Sequence, residues 1–102
     1  MLPALLWLAR LHDLSVAIAD LGDYSPSELR SEYDPCDRAI RINSRVIAKL
    51  DSPAVPGLLA HAVAHELYHH LEHCAGIRPS ANRANRERLA DRFAREMLAF
   101  PA

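Results

Sequence analysis

The hydrophobic pattern changes period along the chain, and the changes divide it. From Pro3 to Leu11 the apolar Leu5, Leu6, Leu8 and Ala9 interleave with Trp7 and Arg10, predicting a short helix with proline in its first turn. Residues 15–19 read Ser-Val-Ala-Ile-Ala, β-branched at alternate positions, and run into Asp20-Leu21-Gly22-Asp23, so a strand ending in a turn is expected. Leu29 to Tyr33 fits a second strand, although Ser25-Pro26-Ser27-Glu28 would serve equally to cap a helical turn there. Asp34-Pro35-Cys36-Asp37 has the composition of a turn, and Arg38 to Asn43 alternates as a strand with one wet face does. Ser44 to Leu50 predicts a short helix. Asp51-Ser52-Pro53 breaks it, and Pro53 and Pro56 fall at or just ahead of the first turn of the next.

That next helix is expected to run to about Ala75, with Gly76 as its stop, and it has two faces. Val63, Leu67, Leu71 and Cys74 form an apolar stripe for the core, while His61, His65, His69 and His73 repeat every four residues on the other side. A final helix begins at about Ala81, after Ile77-Arg78-Pro79-Ser80, making a helix hairpin with a short loop. The expected fold is α+β: a small, mostly antiparallel sheet of about three strands from residues 15–43, backed by the last two helices, with the N-terminal helix outside.

The four-residue repeat of histidines carries candidate chemistry. Two imidazoles one turn apart on a helix project from the same side, at a separation that lets both reach one metal ion. Four histidines compete for two such places, but within His65-Glu66-Leu67-Tyr68-His69 the first histidine is followed at once by Glu. Glu66 is rotated about 100° from His65, so it is placed to touch a metal-activated water as general base and not to ligate. Counting from the turn, His69 lies about six residues before it and Glu87 about six after, each about 9 Å away at 1.5 Å per residue. Glu87 is thereby level with His69 as third ligand. By the same count Asp91, four residues on, is level with His65 and can accept the other ring N–H of that imidazole. Tyr33 is a candidate for stabilising an oxyanion, with a half-buried strand tyrosine as the competing role.

At this point the chain resembles the gluzincin zinc metallopeptidases, whose signature is H-E-x-x-H with a ligand Glu, and an Asp four residues on, in the next helix. The run from Glu87-Arg88-Leu89-Ala90-Asp91-Arg92-Phe93-Ala94 to Pro101 is similar to the ImmA/IrrE-type metallopeptidases, and Tyr33-Asp34-Pro35 and Ile40-Arg41-Ile42-Asn43 are similar to the strand preceding their zinc helix. The resemblance implies a zincin-like fold, a Zn2+ cofactor, and a strand before the zinc helix that borders the cleft and pairs with extended substrate. It also implies a protein or peptide substrate, with selective action on repressor-like regulators. The chemistry expected is peptide-bond hydrolysis, Glu66 taking a proton from water at the zinc and returning it to the leaving amine. The competing functional class is a zinc-containing regulatory or binding module that cleaves nothing.

Composition narrows the remaining classes. The 102 residues are those of a single small domain, 50% hydrophobic and 25% charged. A net charge of −1 gives no overall pull toward nucleic acid or anionic membrane. The six arginines between Arg78 and Arg95 read as a solvated helix face, with nucleic-acid binding as the lesser alternative. Residues 1–11 lack a leading positive charge and are too short for a membrane span, and two cysteines fit a reduced, cytoplasmic protein. Cys74 is assigned to the core, and His61, His70 and His73 to solvent or to supporting contacts. Oligomeric state is left open.

Overall fold

The computed structural model describes residues 1–25, 27–76 and 82–99. In chain order these form α1 (Leu2–Leu11), β1 (Ser15–Ala19), β2 (Ser31–Asp34), β3 (Ala39–Asn43), a short α2 (Ser44–Ile47), a 3₁₀ turn (Ser52–Ala54), α3 (Val55–Cys74) and α4 (Arg83–Ala99). The architecture is α+β. Among the described residues no helix is long and apolar enough to cross a membrane. The expected connection Ile77-Arg78-Pro79-Ser80 lies outside the described residues.

The sheet is mixed, not mostly antiparallel. Its order is β1-β3-β2, with β1 parallel to β3 and β2 antiparallel to it. The Asp34 carboxylate accepts the Cys36 and Asp37 N–H groups in the turn that folds β2 back along β3. The segment between β1 and β2 instead passes over the end of β3, leaving the middle of the sheet to the later strand. Asn43 fixes that crossing. Only 1% exposed, it accepts from the Leu21 and Arg45 N–H groups and donates to the Gly22 and Leu29 carbonyls.

Two expectations about β3 change as a result. It has no wet face, because Ala39, Ile40, Ile42 and Asn43 are all buried and the half-exposed Arg41 is tied to Asp34 and Asp37. Nor can it accept a further strand, since both its edges are already hydrogen-bonded. The edge strand on the cleft side is β2.

The layers also differ from expectation. The long helix α3 is central: the sheet and α1 pack on it, and among the described residues α4 rests mainly on α3. α1 covers the core from one side, with Leu5 and Ala9 fully buried in the main cluster with Ile40, Ile42, Val63 and Leu67, while Trp7 and Leu11 on its other face meet solvent. Proline at positions 3, 53 and 56 sits in first turns, where a missing N–H costs nothing. Gly76 takes φ +78° and its N–H bonds the His73 carbonyl, a left-handed helix stop that disfavours a side chain. The apolar stripe of α3 is buried only in part. Val63 and Leu67 reach the core, but Leu71 is 42% exposed and Cys74 is exposed.

Replacing Asn43 by Ala would strand four backbone groups at a buried crossing. The expected loss of unfolding free energy is on the order of 3 kcal/mol, measured by urea denaturation; a change below about 0.5 kcal/mol would mean that water replaces these bonds.

Candidate metal centre

Two helices supply the centre and an alanine seam sets their spacing. On α4 the described buried residues are Ala90 and Ala94, α4 packs on α3, whose buried residues include Ala60 and Ala64, and such small side chains let two backbones approach closely. Above the seam the Tyr68 and Phe93 rings meet with centroids 5.5 Å apart. Glu87 and Asp91, on the face of α4 next to this seam, are carried to the histidines of α3.

His65 Nε2 and His69 Nε2 are 3.3 Å apart. The two carboxylate oxygens of Glu87 lie 2.8 Å from the first and 3.1 Å from the second. A tetrahedral ion with nitrogen ligands at about 2.0–2.1 Å sets them about 3.3–3.4 Å apart, so the histidine pair already spans one edge of such a site. One potential ligand atom from each of His65, Glu66 and His69 also lies within 4.8 Å of the other two. Of the two carboxylates, Glu87 contacts both imidazoles, whereas the Glu66 oxygen stays 4.0 Å from His65 Nε2. Glu87 is therefore the better third donor.

Each histidine is held from behind. His65 Nδ1 donates to Asp91 Oδ1 at 2.8 Å, and His69 Nδ1 donates to Glu72 Oε1 at 2.8 Å. Glu72 is 4% exposed and is shared with the Arg86 guanidinium at 3.4 Å, so its buried charge is compensated. These bonds leave both Nε2 atoms turned toward Glu87, the arrangement that orients ligating imidazoles. The donor set of two imidazoles and a carboxylate fits a divalent transition-metal ion.

Glu66 is buried beside this group at 4% exposure. Burial pushes its carboxyl above the ordinary range, against the Ser31 hydroxyl, which donates to Oε2 at 2.6 Å and favours the ionised form. An open cleft of roughly 790 Å³ runs past it, between α4 and the stretch from Glu28 to Tyr33.

His65, Glu66, His69, Glu87 and Asp91, expected together from the sequence, are together. Tyr33 lines the same cleft, but its hydroxyl is bonded to His70 Nδ1 at 2.8 Å, and burial pushes its phenol pKa up. His70 is not solvent-facing: it is buried against Tyr33, and burial lowers its pKa. His61 lines the cleft with its ring 6.3 Å from that of His65, and His73 is exposed. Glu72 and Ser31 were missed. Glu72 had a legible signal, three residues after His69 on one helix; Ser31, 35 positions from Glu66, had none.

Comparison with protein-family models, with curated proteins and with solved structures finds no match for this chain. Its function is therefore read from the site itself.

Glu87→Ala is expected to abolish tight zinc binding, measured by competition with a chromophoric chelator, and unchanged affinity would remove Glu87 from the ligand set. Asp91→Asn should keep the ion but bind it roughly 10- to 100-fold more weakly. A neutral result would return Asp91 to the solvated surface.

Proposed function

We propose that this chain is a zinc-dependent metallopeptidase of zincin-like, gluzincin type, in which His65, His69 and Glu87 hold the ion and Glu66 is the general base. The observation that carries the reading is the meeting of three donors from two helices, each histidine backed by a carboxylate, with a buried Glu beside them and an open cleft alongside. The ImmA/IrrE-type resemblance of the sequence points the same way.

When bound, zinc supplies Lewis acidity that brings the pKa of water toward neutrality and polarises a carbonyl. The chain's own residues do the rest. Asp91 and Glu72 keep the ligand imidazoles in one tautomer by holding both Nδ1 protons. Glu66 takes the proton of the attacking water on a carboxylate oxygen and delivers it to the nitrogen of the leaving amine. Burial raises the affinity of its carboxylate for that proton, while the Ser31 hydroxyl, donating to Oε2, holds the side chain in place and restrains the shift. The cleft accepts an extended segment, and its strand wall is the free edge of β2. The substrate class is accordingly protein or peptide.

Glu66→Gln tests the reading, because glutamine is nearly isosteric and Glu66 is not one of the assigned ligands. Zinc content and thermal stability should stay close to wild type while cleavage of peptide libraries falls by about 10²-fold or more. Removing the metal with a chelator should abolish cleavage, and added zinc should restore it. Equal cleavage by mutant and wild type would overturn the role of Glu66. Zinc-loaded wild type that cleaves nothing would favour a regulatory module that binds zinc without hydrolysis.

A further inference from the structure

A second cavity, of roughly 520 Å³, lies between the end of α1, the turn after β2 and the last turn of α3. It gathers His12, His70, His73 and Cys74, none of which belongs to the centre formed by His65, His69 and Glu87. On α3, His70 Nε2 stands 3.5 Å from Cys74 Sγ, one turn further on. A tetrahedral ion with nitrogen at about 2.05 Å and sulfur at about 2.3 Å sets those two atoms about 3.5 Å apart. The pair thus already spans an edge of a nitrogen–sulfur site. Tyr33 holds His70 Nδ1 from behind at 2.8 Å, as Asp91 and Glu72 hold the histidines of the cleft.

Further donors come from two directions. His12 closes α1, with its backbone N–H bonded into the helix and its carbonyl accepting from Arg38 at 2.7 Å, so its position is fixed while its ring is half-exposed. That ring stands edge-on to His70, centroids 5.1 Å apart. His73 is exposed, adjacent to Cys74 in sequence, and its ring lies 6.2 Å from that of Tyr33. We propose that His70 and Cys74, completed by His12 and His73, form a second metal site for a thiophilic divalent ion of the zinc class.

His70 and Cys74 are in place as they stand; His12 and His73 reach the ion by changing rotamer at side chains that are half-exposed or exposed. Arg38 also lines the cavity, but its guanidinium bonds the His12 and Asp13 carbonyls and lies 3.4 Å from the Asp13 carboxylate, which matches its charge locally. Binding releases the thiol proton to solvent and leaves a thiolate on the ion. The sulfur makes this site softer than the nitrogen–oxygen centre of the cleft.

Cobalt(II) distinguishes the two sites, because only a thiolate ligand gives an intense near-ultraviolet sulfur-to-cobalt charge-transfer band. Metal-free full chain, kept reduced with a phosphine, is titrated with Co2+ alongside Cys74→Ser, Cys36→Ser, Glu87→Ala and a His12→Ala, His73→Ala double variant. The expected result is two equivalents bound by wild type, with the band present in wild type, Cys36→Ser and Glu87→Ala and absent in Cys74→Ser. The double variant should bind the thiolate-linked equivalent about 10-fold or more weakly. No band in wild type, a band that survives Cys74→Ser, or unchanged affinity in the double variant would overturn the assignment. Because Cys74→Ser keeps the cleft ligands and Glu87→Ala keeps the thiolate, failure here is separable from failure of the peptidase reading.

Discussion

The close approach of α3 and α4 is the constraint on which the candidate centre depends. A helix carries its own i, i+4 pair of histidines wherever it goes, but a third donor from another helix arrives only if the two axes are near enough and in register. Ala60 and Ala64 on one helix and Ala90 and Ala94 on the other keep the spacing small, and the Tyr68–Phe93 contact is a ring-on-ring lock beside it. A larger side chain at Ala90 would push apart the two elements that Glu87 has to bridge.

Polar burial is the second organising feature. Glu66 and Glu72 are carboxylates nearly removed from water, an expensive state unless each finds partners. Glu72 finds His69 and Arg86, which turns a cost into orientation of an imidazole. Glu66 finds the Ser31 hydroxyl, and its remaining electrostatic environment is the centre itself. Asn43 does for the sheet what these groups do for the centre. By satisfying the loop that crosses β3, it delivers β2 to the edge of the sheet, and with β2 come Ser31 and Tyr33 on the wall of the cleft.

The elements of the fold were legible because their signals are local. Proline in first turns, Gly76 at the end of α3 and the β-branched alternation of residues 15–19 each act within a few residues. Sheet order was not legible, since a strand with one charged residue, Arg41, gives the same pattern at an edge as at a centre whose arginine is paired with Asp34 and Asp37. The fate of Leu71 and Cys74 was equally hidden. A helical stripe says which residues share a face, not how far along the helix that face stays covered.

By itself the sequence determined the spacing of His65, Glu66 and His69, and, through equal counts on either side of a helix turn, the level of Glu87 and Asp91. Helical rise and rotation are fixed per residue, so a count is a distance. Only the tertiary structure decided that Ser31 reaches Glu66, that Tyr33 is bonded to His70 and that His12 joins His70 and Cys74 around a second cavity. Those contacts join residues far apart in sequence, and their geometry follows from how the layers pack, which no local period encodes.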